Sequence, residues 1–122
     1  MKDWRKTEGR DVVHCIGRRQ IVERSFDEPG GEKIDFALKL ERPSVCTLIV
    51  TPEENIVLVR QFRPGPETSL DEISGGGIED GEDPSLAAKR EVLEETGYAG
   101  QLESLGTSFA CAFSTRIRHH FL

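Results

Sequence analysis

The chain has 122 residues, 36% hydrophobic and 31% charged, with a formal net charge of −6. That length holds one domain at most and is enough to bury a core unaided. The acidic balance argues against a general nucleic-acid-binding face, which would be basic, though not against a nucleotide substrate met through a bound cation. No apolar run nears the roughly 20 residues of a membrane-spanning helix.

In chain order, the N-terminal MKDWRKTEGRD is polar, lacks the apolar stretch of a signal peptide and is expected to fray apart from Trp4, a packing residue. Val12–Ile16 is β-rich, and after Gly17 the alternation from Arg18 to Phe26 predicts a second strand. Asp27-Glu28-Pro29-Gly30-Gly31 is a turn signal, and Lys33–Leu40 alternates again with Ile34, Phe36, Leu38 and Leu40 on one face. Residues 1–42 therefore read as an antiparallel N-terminal region, and 43–122 as the main domain.

Pro43 breaks the chain, and the continuous apolar run Val45–Val50 predicts a strand buried on both faces. Thr51–Asn55 is the turn into Ile56–Arg60, which together suggest a hairpin in the central sheet. Gln61-Phe62-Arg63 continues it, with Phe62 read as core, and Leu70–Ser74 is a short strand feeding a glycine turn. Beyond the helix described next, Leu102–Leu105, Phe109–Phe113 and His119–Leu122 are strand candidates. His119 and His120 are adjacent in a strand and so point to opposite faces, which argues against a joint catalytic role. Cys15, Cys46 and Cys111 are odd in number and far apart, giving neither zinc spacing nor a disulfide framework; buried reduced thiols are expected.

The chain is organised around Gly76–Tyr98, GGIEDGEDPSLAAKREVLEETGY. Asp83-Pro84 is a helix start, Ser85–Thr96 is rich in helix formers, and Gly97 is the stop. The helical period places Glu91, Glu94 and Glu95 on one arc of roughly 100°, with Leu86 and Leu93 opposite them as the expected core side, Val92 flanking, and Lys89 an intrusion on that side. Clustered carboxylates repel by a few tenths of a kcal/mol per pair, or about that, and are favoured once a divalent cation sits among them. On spacing alone, a solvated acidic face is the better reading.

The full pattern is more specific. Gly76, Glu82, Arg90-Glu91, Val92, Glu94-Glu95, Gly97 and Tyr98 resemble the Nudix box, G-x5-E-x7-R-E-U-x-E-E-x-G-U with U apolar, at every fixed position. The resemblance implies an α+β fold, the Nudix α/β/α sandwich with a mixed central sheet, and Mg²⁺- or Mn²⁺-dependent hydrolysis of a nucleoside diphosphate linked to another group. Carried over by position, it implies that Glu91 and Glu95 are the principal metal ligands. Glu94 is a third ligand or orients the attacking water, the Gly75 carbonyl completes the inner shell, and Glu82 is an outer or bridging carboxylate. Arg90 would pair with Glu94 to hold the cluster. Gly81 and Gly97 would serve backbone geometry, as would Gly76, which also lies at a substrate-contact position.

Upstream, VRQFRPGPETSLDEISGGGIEDGE resembles the ADP-ribose and nucleotide-sugar pyrophosphatase group. It implies that Arg63 binds a phosphate or the terminal ribose, and that Glu72 supports substrate or metal. Downstream, ACAFSTRIRHHFL matches the group's P-G-x-S-x-E-x-x-H-x-F-L-A segment in part: the proline and the acid after the serine are missing, and no carboxylate follows Glu103. ADP-ribose or a related nucleotide sugar is the expected substrate, in a cytoplasmic homodimer whose N-terminal strands form the interface. A dinucleoside polyphosphate or damaged nucleoside triphosphate remains open, as does a non-catalytic nucleotide-sugar-binding protein. Nudix domains usually continue with a further strand and a second helix, so either a C-terminally truncated form or a partner covering the exposed surface is expected.

Overall fold

The computed structural model describes residues 3–9, 11–17, 19–112 and 117–121. The chain forms two compact units, one of the residues up to Glu41 together with the stretch that begins at Ala110, the other of Arg42–Phe109 and the segment from Ile117.

The first unit is an antiparallel sheet. Its strands are β1 (Arg5–Lys6), β2 (Val12–Ile16), β3 (Arg19–Asp27) and β4 (Lys33–Lys39). The long β3 pairs with all three others. The segment expected to fray is thus tied down in part, because Arg5 and Lys6 pair with Asp27 and Phe26. The alternation in β4 places Phe36 edge-on to Phe26 (centroids 5.7 Å apart) and to Trp4 (6.0 Å), so Trp4 does pack. Arg24 Nη2 donates to Asp11 Oδ2 at 2.7 Å, and Lys6 also reaches Asp11. The Arg24 guanidinium holds the Asp11 carboxyl at about 2, below its ordinary 3.8. A folded-state value below the unfolded one gives stability that is present above about pH 4 and is lost as pH falls towards 2. Asp11→Asn should therefore be less stable than wild type at neutral pH and should converge on it near pH 2, as read from the single tryptophan, Trp4.

The second unit carries β5 (Ser44–Thr47), β6 (Ile49–Val50), β7 (Ile56–Val57), β8 (Val59–Arg63), β9 (Thr68–Glu72) and β10 (Ser74–Gly77). The helix α1 (Pro84–Thr96), β11 (Ser104–Phe109) and β12 (Ile117–Phe121) follow. The central sheet runs β10-β5-β12-β11 and is mixed: β5 is antiparallel to β10 and parallel to β12. The apolar run 45–50 is not one strand. It breaks at Leu48, whose N–H bonds the Phe121 carbonyl, and only its first half is buried. Consequently the hairpin β6–β7 stands as its own two-stranded sheet instead of joining the central one, and β8–β9 forms another. The two strands expected within 102–113 are instead the single β11, with Phe113 outside the described residues, as are Arg18 and Leu122 at the ends of other expected strands. Cys46 is buried, whereas Cys15 and Cys111 are exposed, so the expectation of buried thiols holds for one of three.

One helix occurs among the described residues. Asp83 caps it by accepting from the Ser85 N–H, Pro84 opens it, and Gly97 closes it at φ 73° with its N–H on the Leu93 carbonyl. Its orientation inverts the sequence expectation. Leu86 and Leu93 are 58% and 57% exposed, while Ala87, Ala88 and Val92 are buried and join Val45, Ile78 and Phe121 in the core. The physical reason is close approach: alanines let the helix settle on a strand made of Ser74 and three glycines, where leucines would hold it off. Lys89, an intrusion on the expected core side, simply faces water. Val92→Ala should accordingly cost about 2 kcal/mol, and Leu93→Ala within about 0.5 kcal/mol, by urea unfolding.

Candidate active site

The inverted helix turns Glu91 and Glu95 toward the sheet. At 100° per residue they fall between Ala87 and Ala88 on the buried arc, and both are half-buried, while Glu94 sits at the exposed margin. β10 is the edge of the central sheet, and it receives them residue by residue. The Glu91 carboxyl lies where a Cβ on Gly76 would stand. Glu95 Oε2 accepts the Gly75 N–H at 3.1 Å. A strand residue points its N–H and C=O to the same side, so the Gly75 carbonyl also faces away from β5, toward α1.

Arg90 gathers the remaining carboxylates. Its Nε donates to Glu82 Oε1 at 3.0 Å, Nη1 to Glu91 Oε1 at 2.7 Å, and Nη2 to Glu82 Oε2 and the Gly77 carbonyl. Glu94 is the outlying partner at 3.5 Å. The expected Arg90–Glu94 pair is therefore the weakest of three, because Glu82 and Glu91 approach the guanidinium along the directions of its fork. The Arg90 guanidinium and the Glu79 N–H together hold the Glu82 carboxyl below the usual carboxylate range. Gly81 at φ 80° makes the turn that brings Glu82 back to Arg90.

The hairpin β8–β9 supplies the opposite wall. Val59, Gln61 and Arg63 share one face by the period of two. Gln61 Nε2 donates to Glu95 Oε1 at 2.7 Å. Arg63 binds Glu72 through two guanidinium nitrogens and also feels the charge of Glu95. Arg63 holds the Glu72 carboxyl below its usual range. The other face of β8 turns away: Arg60 pairs with Asp71 at 2.7 Å, and Phe62 is exposed, not core as the sequence suggests. A groove of about 410 Å³, lined by Val57–Gln61 with Glu95 and Thr96, adjoins this wall.

The structure thus brings Gly75, Gly76, Glu91 and Glu95 together on one seam, with Glu82 and Glu94 joined through Arg90, and Arg63 and Glu72 beside Glu95 as one ion pair. Gln61 was not picked out from the sequence, although the strand alternation that groups it with Arg63 was available. The donor types suit a hard divalent cation: carboxylate oxygens and a strand carbonyl. As placed, no three Asp, Glu, His or Cys side chains among the described residues form a group able to hold a metal ion. Arg90 and Gln61 engage the carboxylates, so drawing Glu91, Glu94 and Glu95 onto one ion requires rotation about their own side-chain bonds. His120 lies outside this seam and pairs with Cys46 Sγ and Ser108 Oγ.

A family model for the NUDIX domain matches residues 40–122. The chain belongs to the Nudix family. Its Nudix region begins just ahead of the second structural unit. The ADP-ribose pyrophosphatase of Bacillus subtilis strain 168 is 41% identical over 96 residues, covering 77% of this chain and 52% of its own. The methanol dehydrogenase activator of Bacillus methanolicus is 35% identical over 108 residues, covering 84% of this chain and 58% of its own. The chain thus spans about half the length of these curated relatives. A crystal structure described as that of an ADP compounds hydrolase superposes with a TM-score of 0.76 over 95% of this chain and 68% of that one. At 20% identity that likeness establishes the Nudix fold. No helix among the described residues is long and apolar enough to cross a membrane.

Proposed function

We propose that this Nudix chain carries the hydrolytic site of a nucleotide-sugar pyrophosphatase, with ADP-ribose or a close relative as substrate and Mg²⁺ or Mn²⁺ as cofactor. The observation that carries the reading is the seating of Glu91 and Glu95 on Gly76 and Gly75, beside the Arg63–Glu72 pair. A similar pyrophosphatase acting on ADP-ribose supports the substrate class.

Glu91, Glu95 and the Gly75 carbonyl would hold the cation, with Glu94 as a third ligand or as the group that orients water. A divalent ion in such a site neutralises phosphoryl oxygens and makes bound water a better nucleophile. Arg90 keeps Glu91 and Glu82 in place, so Glu82 acts through the guanidinium. Arg63 offers a planar fork to the diphosphate or terminal ribose, with Glu72 fixing its orientation. Gly76, at the expected substrate-contact position, has no side chain and leaves room for the Glu91 carboxyl at the seam. Water adds to one phosphorus, the P–O bond to the bridging oxygen breaks, and a nucleoside monophosphate and a sugar phosphate leave.

We further propose that residues 1–42 form a dimer contact in a cytoplasmic homodimer that binds neither nucleic acid nor membrane. Val12, Val13 and Ile16 on the edge strand β2 are exposed and apolar, which suits such a contact. Incubation with ADP-ribose, Mg²⁺ and a phosphatase, with assay of released phosphate, tests the activity. Release from ADP-ribose or another nucleotide sugar is expected; cleavage confined to dinucleoside polyphosphates or damaged triphosphates would reassign the substrate. Binding without turnover across the panel would overturn the enzymatic reading.

A further inference from the structure

Glu95 differs from the other carboxylates of the seam in its partners. Glu91, Glu94 and Glu82 answer to the Arg90 cation. Glu95 accepts instead from two neutral donors, one on each oxygen: Gln61 Nε2 at 2.7 Å and the Gly75 N–H at 3.1 Å. The two donors arrive from different strands, β8 and β10, and α1 supplies the carboxylate. One hydrogen bond leaves a carboxylate free to rotate about its Cγ–Cδ bond; two on opposite oxygens fix its plane. Each oxygen retains a further acceptor direction. Because neither donor carries charge, no hydrogen-bonded cation neutralises Glu95; Arg63 feels its charge without bonding to it, and the carboxylate stays open to a metal ion.

We infer that Gln61 is the positioning residue for Glu95: its amide fixes the carboxylate plane without neutralising it. This rests on the proposed metal-dependent hydrolysis, and extends it to a residue that touches neither ion nor substrate. Arg63, two residues along the same face of β8, serves the substrate side, so one strand face orients ligand and metal carboxylate together. The amide is required, not the bulk. A methionine of similar length packs equally well and donates nothing, and a glutamate places a second anion against the first.

The first test uses wild-type protein without metal. A scalar coupling across the hydrogen bond from Gln61 Nε2 to the Glu95 carboxyl carbon is expected in NMR spectra, and in Glu95→Ala, which keeps no acceptor, it should vanish with a shift of the Gln61 amide resonance. Absence of any coupling and of any shift would overturn the inference whether or not the protein is an active pyrophosphatase. The second test compares Gln61→Met and Gln61→Glu with wild type in ADP-ribose turnover and in Mn²⁺ titration by electron paramagnetic resonance. Gln61→Met should lower kcat about 10- to 100-fold, leave KM within about twofold and weaken Mn²⁺ binding about tenfold. Gln61→Glu should lower kcat at least as far. Wild-type kcat and Mn²⁺ affinity in Gln61→Met, or a rise in KM alone, would overturn the assignment.

Discussion

Gly76→Ala should abolish most turnover and leave the protein folded, and Gly75→Ala should do the reverse damage first. Neither glycine has a positive φ, so the backbone accepts alanine at both positions, and what the new methyl meets decides the outcome. At Gly76 it meets the Glu91 carboxyl, the far end of a flexible side chain. Glu91 can swing aside at little cost to the fold, but in doing so it breaks its ion pair with Arg90 and leaves the seam. Turnover should fall about a hundredfold, with a Tm shift of no more than a few degrees, about what a 0.5 kcal/mol change gives. At Gly75 the methyl meets the Val45 carbonyl oxygen at 2.5 Å and Cys46 Cα at 3.0 Å, both backbone of β5. No side-chain rotation relieves that, so β10 must pull away from β5, at roughly 1–3 kcal/mol or more and a Tm loss on the order of 5–10 °C. Paired thermal melts and turnover assays check both halves; equal loss of stability in the two variants would contradict this placement of Glu91.

Glu95→Gln should be the most damaging isosteric change. The substitution keeps the volume, and the amide oxygen can still accept from Gln61 or Gly75, so one of the two native hydrogen bonds survives. What it removes is the charge. Loss of an outer partner of a metal ligand typically costs about 10–100-fold, and loss of a ligand's charge should exceed that, so kcat should fall by more than about a hundredfold. The fold should lose at most about 1–2 kcal/mol, because a half-buried donor is left facing another donor. Arg90 is not a partner of Glu95, so the Glu82–Arg90–Glu91 cluster should persist in the variant. A collapse in Tm with unchanged specific activity of the folded fraction would assign Glu95 to structure.

Much of this was legible in the sequence because the informative residues are punctuation. Asp83-Pro84 and Gly97 fix the helix ends by capping chemistry, and the structure places them as expected. The carboxylate arc follows from helical period alone. What the period could not supply is which side of that arc faces the sheet. Leu86 and Leu93 look like core by hydrophobicity, yet the partner strand is Ser74-Gly75-Gly76-Gly77, whose bare surface selects Ala87 and Ala88. That choice depends on a surface distant in sequence, and it brings Glu91 and Glu95 inward. The break at Leu48 escaped notice for a similar reason: the apolar run is uniform, and only the Phe121 carbonyl, more than 70 residues away in sequence, ends β5 there. Arg63 and Gln61 share a strand face, but Gln61 is an uncharged residue between two arginines and a phenylalanine, and its partner Glu95 is 34 residues on.

The most direct test of the central claim, a divalent cation held at the seam of α1 and β10, is paramagnetic broadening by substoichiometric Mn²⁺ in amide NMR spectra. Selective loss of the Gly75, Gly76, Glu91 and Glu95 signals, reversed by excess Mg²⁺, is the expected result. Broadening spread over other acidic stretches such as Asp27-Glu28 and Glu53-Glu54, with the seam signals intact, would contradict it.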